Sequence, residues 1–316
     1  MKKYVSIANF FGPFIGLLVI IAVFTIVNPE HFLTPYNLKT VATQSAVVGI
    51  AALGMTIIII AGGIDLSVGS VIALSTVVTA LLLKGGFTPA AAGLAGILSG
   101  GICGLLNGQI IVRLRVVPFI ATLGTLGIFR GLAKGLAGSQ KIDAPPGWLP
   151  ELLTKSPSAE WMVFSPGVWL MFILAVIAGL ILSRTILGRY AYAIGSNEQA
   201  ARVCGIRVEF NKTVIYTLGG FAAGLAGVLE FSRLTVGDPT VAMGSELDVI
   251  AAVVIGGGSL SGGEGSVLGT IVGTFIMAFL RNGCNLSGVP NFVQEIIIGG
   301  IIVVAVALDR LRGHNT

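Results

Sequence analysis

Ten long apolar segments run through this chain, and they restrict its fold more than any other feature of the sequence. A window of about 19 residues places them at 10–27, 41–61, 68–83, 90–112, 118–136, 167–183, 213–231, 248–262, 265–280 and 292–308. A helix needs about 20 apolar residues to cross a bilayer. Only 10% of the residues are charged, against about 25% in soluble domains. We therefore predict an all-α integral membrane protein with about ten transmembrane helices, some of them broken.

The first apolar segment follows Met1-Lys-Lys and is either a cleaved signal peptide or a retained span. It has about 18 residues, which is long enough to cross the bilayer. The sequence that follows, 28–32, contains no Ala-x-Ala-like cleavage site. We expect a retained first span.

Basic residues in short loops predict the orientation of a membrane protein, because cytoplasmic loops carry an excess of Lys and Arg. With ten spans both termini lie on one side, and a cytoplasmic placement gives the larger basic share inside. The residues then predicted to be cytoplasmic are Lys2, Lys3, Arg113, Arg115, Arg184, Arg189, Arg202, Arg207, Lys212, Arg310 and Arg312.

The longest stretch predicted on the external side runs from about Ala137 to Pro166 and contains Trp148 and Trp161. Tryptophan is typical of the membrane–water interface. The stretch is either a loop lying across the bilayer face or part of a landing site for an external partner.

A dense cluster of charge, the loop at about 184–212, separates the sixth and seventh apolar segments. It must lie outside the bilayer, because lipid does not solvate charged side chains. There it is either a tether or a docking surface for a soluble partner. The small pair Ala200-Ala201 and the following Gly205, on a short charged helix, favour docking.

Two Gly-rich interruptions of the apolar pattern indicate an internal repeat. Gly-Gly-x-x-Leu-Ser followed by Gly-Ser-Val occurs at 62–71 and, with two extra residues, at 256–267. By the span count both interruptions end inward-running spans, which makes the repeats parallel. Gly-interrupted segments at matching places in two halves are typical of a transport pathway. The candidate pathway residues are Gly62, Gly63, Asp65, Ser67, Ser259, Ser261, Gly262 and Gly263.

Asp65 has two compatible interpretations. A carboxylate within the membrane costs roughly 2.5–3.5 kcal/mol, which favours a functional role on the pathway. Asp65 or Ser67 can also cap the helix that begins near Val68, which is worth about 1 kcal/mol. Glu264, in the second interruption, is predicted to be solvated. Ser245-Glu-Leu-Asp248 fits a capping box for the segment that follows.

Motifs for catalysis are missing from the sequence. It contains no Gly-x-x-x-x-Gly-Lys-Ser/Thr phosphate loop and no His-Glu-x-x-His or Gly-x-Ser-x-Gly motif. We predict that the chain is not an enzyme and has no catalytic residue, metal site or bound cofactor. Its net charge of +5 is scattered among loops, so nucleic acid is not an expected partner.

The motifs resemble, over nearly the whole chain, those of the membrane permease subunit of ribose-type sugar ABC importers. The matching stretches are Gly62-Gly-Ile-Asp-Leu-Ser-Val-Gly-Ser70, Leu187-Gly-Arg-Tyr190, Gly195-Ser-Asn-Glu-Gln-Ala-Ala201, Glu246-Leu-Asp-Val-Ile-Ala-Ala252 and Gly256-Gly-Gly-Ser-Leu-Ser-Gly-Gly263. The loop also resembles the permease signature Glu-Ala-Ala-x-x-x-Gly, except that Gln199 separates Glu198 from Ala200.

The resemblance implies that residues 1–316 form one permease domain in the inner membrane of a bacterium. It implies a second permease copy (a homodimer or a paired paralogue), a cytoplasmic ATPase that holds ATP and Mg, and a periplasmic or extracellular sugar-binding protein. The loop would then contain a coupling helix that docks on the ATPase, where Glu198, Arg202 and Arg207 can pair across a polar rim. The residues implied in coupling are Asn197, Glu198, Ala200, Ala201, Arg202 and Gly205.

A proton-coupled secondary sugar transporter is the alternative function. Such a carrier also has repeats and broken helices, and it needs a titratable group within the membrane. Asp65 and Glu264 are the candidates for that role.

Overall fold

The computed structural model describes residues 2–154 and 162–313, so Trp161 lies outside the described residues. Its regular elements are helices, apart from two strands of two residues each. In chain order they are α1 (Lys2–Val27), α2 (Pro35–Ile60), α3 (Val68–Lys84), α4 (Pro89–Arg113), α5 (Pro118–Leu136), β1 (Ile142–Asp143), a 3₁₀ helix (Leu149–Leu153), α6 (Pro166–Arg184), α7 (Ile186–Ser196), α8 (Glu198–Val203), α9 (Val208–Leu234), β2 (Val236–Gly237), α10 (Ser245–Ile255), α11 (Val267–Leu286) and α12 (Asn291–Gly313).

Six of these helices, α2, α4, α5, α6, α9 and α11, are long and apolar enough to cross a membrane. Shorter apolar helical stretches occupy Gly12–Val27, Val68–Lys84 and Asn291–Ala307. Helix α10 has 11 residues, and at about 1.5 Å per residue it is too short to cross the hydrocarbon core alone. The prediction of an all-helical membrane protein is confirmed, whereas helix lengths do not establish the predicted number of ten crossings.

Helix α10 differs from its predicted boundaries at both ends. The predicted segment 248–262 is too long, because the helix ends at Ile255 and Gly257 takes a left-handed conformation with φ of +92°. The predicted capping box is wrong, since Ser245 is already helical and Gly244, at the cap position, offers no side chain. The Asp248 carboxylate instead accepts a hydrogen bond of 2.8 Å from Arg281 on α11.

Four long helices, α2, α4, α5 and α6, begin with proline. The first helical residue has no intrahelical partner for its N–H, so the missing donor of proline costs nothing there. Thr34 and Thr88 cap two of these helices, and their hydroxyls accept the N–H groups of Asn37 and Ala91 at 3.3 and 3.4 Å. The helix starts are therefore fixed by local sequence.

Helix α2 is the centre of the bundle. It packs against α6, α9, α10 and α11, and Ile50, Met55, Ile58 and Ile59 on it are almost completely buried. A helix that is apolar on all sides is suited to such a central position. The first interruption of the sequence pattern therefore begins at the end of the most enclosed helix.

Helices α4 and α9 approach each other closely because glycines face each other along their contact. A Cβ atom on Gly100 or Gly220 would clash with the backbone of the opposite helix. Small residues allow this close packing between membrane helices. The stretch Gly220-Phe-Ala-Ala-Gly224 is thus a helix-packing motif.

The two ends of the bundle carry different structures. At one end β1 and β2 pair antiparallel, with Ile142 opposite Gly237, and Lys141 lies 3.3 Å from Asp238. Helix α6 leads from this strand-pair end to α7 and α8, and α9 leads back to it. The charged loop thus lies at the end of the bundle opposite the β1–β2 pair.

Candidate functional site

The charged loop folds into two short helices joined at a single capping residue. Thr185 caps α7 by accepting the N–H of Gly188 at 3.3 Å. Asn197 caps α8, and its Oδ1 accepts the N–H of Ala200 at 2.9 Å. Gly205, with φ of +80°, then ends the segment before α9. Asn197 and Gly205, both predicted coupling residues, therefore set the two boundaries of α8.

An ion-pair network holds α8 against the first turns of α9. Glu198 accepts hydrogen bonds from Arg202 at 2.8 Å and from Lys212 at 2.6 Å, and Arg202 also pairs with Glu209. The structure pairs Glu198 with Arg202 within the chain, and their predicted pairing across a partner's rim stays a prediction. Exposed pairs are worth about 0–1 kcal/mol each, so the network orients α8 more than it stabilises the fold.

The pKa of the Glu198 carboxyl group follows from its partners in this network. Partial burial raises the pKa of Glu198, but hydrogen bonds from Lys212 and Arg202 outweigh it and hold that pKa below its ordinary value. Glu198 is therefore charged at neutral pH.

The two alanines of the loop face opposite ways. Ala201 is only 4% exposed and packs with Ile194 and Val208 in a small apolar cluster that joins α7, α8 and α9. Ala200 points to solvent. Ala201 therefore packs α8 against its own chain, and the face of Ala200 is the one left open.

Val203 is an exposed apolar residue of α8 that the sequence interpretation did not include. Its side chain is 89% exposed, and the other exposed residues of α8 are Gln199, Ala200 and Arg202. Exposed Cys204 lies beside it. The available signal was an apolar residue at the end of a short helix that must lie outside the bilayer.

The two Gly-rich interruptions lie against each other in the fold. We call residues 61–67, between α2 and α3, the first break, and residues 256–266, between α10 and α11, the second break. The amide of Gly263 donates a hydrogen bond of 2.8 Å to the carbonyl of Ile60. Gly62, Gly262 and Gly263 have φ values of +77°, +85° and +78°, which glycine adopts without strain.

The serines of the second break are used locally. The N–H of Ser259 donates to the carbonyl of Glu264 at 3.2 Å, and the Ser259 hydroxyl accepts the N–H of Ser261 at 3.3 Å. Ser261 and Glu264 are exposed, whereas Ser259 is buried. Of the three predicted pathway serines, Ser261 is exposed, whereas Ser67 and Ser259 are buried.

Asp65 lies in a buried hydrogen-bond network. It is 3% exposed, and its Oδ1 accepts the N–H and the hydroxyl of Ser67 at 2.8 and 2.6 Å. The amide of Asn107 on α4 donates to Asp65 Oδ2 at 3.2 Å and to Ser67 Oγ at 2.9 Å. Ser67 occupies the cap position of α3 but makes no side-chain capping bond. Asp65 thus closes the turn that leads into α3, and its place on a pathway stays a prediction.

Gly63 also belongs to the interior of the first break. A Cβ atom there would clash with the hydroxyl of Tyr216 on α9, which donates a hydrogen bond of 3.4 Å to the carbonyl of Ile64. Asp65 and Gly63 of the first break therefore lie against α4 and α9, whereas Gly62 is exposed, as Ser261 is in the second break.

Comparison with known proteins gives consistent matches over most of the chain. Residues 37–306 match the family model described as branched-chain amino acid transport system / permease component. The ribose import permease protein RbsC of Bacillus subtilis (strain 168) is 40% identical over 95% of this chain and 92% of its own length. The D-allose transport system permease protein AlsC of Escherichia coli (strain K12) is 37% identical over 98% and 95%. The fructose import permease protein FrcC of Rhizobium meliloti is 34% identical over 94% and 84%. No solved structure matches the chain.

Proposed function

The chain belongs to the family of branched-chain amino acid transport system permease components, and on that premise we propose that it is the transmembrane permease subunit of an ABC importer for a monosaccharide. ATP hydrolysis in a separate ATPase subunit drives the transport. Relatives named for the import of ribose, D-allose and fructose support a pentose, hexose or related compound as the substrate. Their different sugars support the substrate class rather than one sugar.

The shape of the charged loop is the single observation that carries the proposal of an ATPase partner. Helix α8 is fixed to α9 by Glu198 and its basic partners, and it offers Ala200 and Val203 to solvent. A rigid short helix with a small apolar tip is suited to a cleft on another protein, because little conformational freedom is lost on docking. The sequence has no phosphate loop of its own.

The proposed topology has ten crossings, made by all helices except α7 and α8. In this arrangement α10 and the second break cross the membrane together, and backbone polar groups in the break are satisfied by protein contacts such as the bond from Gly263 to Ile60. The loop with α8 and both termini lie in the cytoplasm of a bacterium, and the β1–β2 strand pair lies outside. There it faces a periplasmic or extracellular sugar-binding protein.

Helix α5 is the proposed contact with a second permease copy, whether identical or a paralogue. It is the least buried of the six long membrane-compatible helices, yet it is also the least apolar of them. A helix that faces lipid should instead be strongly apolar, so another protein surface is the better neighbour for α5. Its outer face carries Gly124, Gly127, Gly131 and Gly135, which have open space around them within the described chain. Small residues of this kind allow close helix approach in membranes.

Asp65 bears on the choice between this proposal and the alternative of a proton-coupled carrier. Its carboxylate is engaged by Ser67 and Asn107 and closes a turn, which gives it a structural use that needs no change of protonation. A proton-coupled carrier would need that network to open during transport. The observed contacts therefore favour the ABC permease.

The test of the proposed function is reconstitution. The affinity-tagged chain, expressed in its own host, is expected to co-purify with an ABC ATPase. In proteoliposomes with the sugar-binding protein, the complex is expected to take up labelled pentose or hexose only with ATP, in the presence of a protonophore as in its absence. ATP hydrolysis by the rigorously purified chain alone, or uptake that a protonophore abolishes, would contradict the proposal.

A further inference from the structure

Helix α7 connects the exposed α8 to both breaks, and the predicted coupling and pathway residues do not include it. Its last turn lies directly before Asn197, the cap of α8. The same turn lies against the first break and the second break at once. The contact is made by backbone, not by side chains.

Gly195 is the centre of this contact. A Cβ atom there would clash with the carbonyl of Ile60 and would lie 2.5 Å from the nitrogen of Gly263. From the other side, a Cβ atom on Gly262 would lie 2.8 Å from the carbonyl of Gly195 and 2.8 Å from the Cα of Gly62. Three chain segments therefore touch at Gly62, Gly195, Gly262 and Gly263, which we call the glycine junction.

Tyr192, one turn earlier on α7, makes a second and independent tie. Its hydroxyl donates a hydrogen bond of 2.8 Å to the carbonyl of Gly265 in the second break. Gly265 has φ of +151°, a conformation that other residues rarely adopt. The second break is thus held to α7 at two points, by packing at Gly195 and by a directional bond at Tyr192.

We propose that Tyr192 and Gly195 are positioning residues that transmit movement of α8 to both breaks, and this inference rests on the proposed function. A displacement of α8 moves the end of α7, because Asn197 alone separates the two helices. Because the backbones are close-packed with no flexible side chain between them, a displacement of one segment displaces the others by a similar amount. Packing at Gly195 transmits only movement of α7 toward the second break. The hydrogen bond of Tyr192 also transmits movement of α7 away from it.

The alternative is that these residues only stabilise the fold. The two roles separate in the number of sugar molecules moved per ATP hydrolysed. A purely structural role changes assembly or amount of active complex and leaves that ratio constant. A transmitting role lowers the ratio while the ATPase remains bound and hydrolyses ATP.

The experiment uses the complete importer in proteoliposomes with the variants Tyr192→Phe and Gly195→Ala. Tyr190→Phe is the matched control for the first, because it lies on the same helix and its hydroxyl has no hydrogen bond among the described residues. Gly179→Ala on α6 is the control for the second, since a Cβ atom there meets open space. Co-purification of the ATPase, ATP hydrolysis and labelled-sugar uptake are measured for each variant.

Both α7 variants are expected to retain the ATPase and at least half of the basal ATP hydrolysis, with a transport-to-hydrolysis ratio at least fivefold below that of their controls. Tyr192→Phe decides the test if Gly195→Ala fails to fold. A normal ratio for Tyr192→Phe overturns the proposal, and so does loss of assembly by that variant, which would assign Tyr192 to stability. ATP-independent uptake by the unmodified complex would instead overturn the proposed function.

Discussion

Shortening the exposed side chain of Val203 is expected to weaken ATPase docking without affecting the free chain. Val203→Ala removes two methyl groups, each worth about 0.8 kcal/mol when fully buried. Since the side chain is 89% exposed in the free chain, complete burial on docking gives a loss of about 1.6 kcal/mol, or about 15-fold in the dissociation constant. The thermal unfolding midpoint of the free chain is expected to stay the same.

The assay measures binding of the purified ATPase to the chain in nanodiscs by biolayer interferometry, together with the unfolding midpoint of the chain alone. Val176→Ala on α6 is the control, because Val176 is also exposed but lies on a different helix, away from α8. An unchanged dissociation constant for Val203→Ala would refute the docking role of this face. A lowered midpoint would show that Val203 contributes to the fold of the free chain.

Three further substitutions test the site. Ala201→Glu, by placing a carboxylate in a buried apolar cluster, is expected to expose the loop of the free chain to trypsin, whereas Ala200→Glu is expected to leave the free loop protected and weaken ATPase binding; equal cleavage of the two variants would argue against the assigned faces. Asp65→Asn is expected to keep uptake within about twofold and Asp65→Ala to reduce it more, since Asn supports such turns about as well as Asp; loss of uptake with Asn would point to proton transfer or direct sugar contact. The pKa of Glu198 is lowered in the folded chain, so the stability that its ion pairs give to the loop is complete above the ordinary pKa of 4.5 and is lost as the pH falls below 4.5. Protection of the loop from an acid-tolerant protease such as pepsin is expected to drop below that pH, and Glu198→Gln is expected to abolish this pH dependence.

Much of the helix arrangement was predictable because lipid imposes a strong compositional requirement on spans. The segment at 118–136 was predicted with the boundaries that α5 has in the structure. The end of the predicted segment at 248–262 was wrong, because glycine is weakly apolar and a hydropathy window therefore continues through Gly256, although the helix ends at Ile255. Hydropathy reports lipid compatibility and carries no information about backbone conformation.

The site was predictable in location but less so in orientation. The charged loop could be assigned outside the bilayer from composition alone. Which alanine faces outward depends on Ile194 and Val208, which belong to α7 and α9, and a six-residue helix is too short for a periodicity argument. Asn107 was also missed, because its hydrogen bond to Asp65 joins residues that are far apart in the chain and depends on tertiary packing.

The bond from Gly263 to the Ile60 carbonyl also fixes an order of events during biosynthesis. Ile60 leaves the ribosome long before Gly263, so the first half of the chain enters the translocon before the Ile60 carbonyl can accept its hydrogen bond. An unpaired carbonyl in hydrocarbon costs several kcal/mol, so we expect the region around the first break to stay hydrated or shielded by other proteins until α10 and α11 are inserted. Chains truncated before the second break should therefore be preferred substrates of membrane proteases, and separately expressed halves should each gain half-life when the other is present.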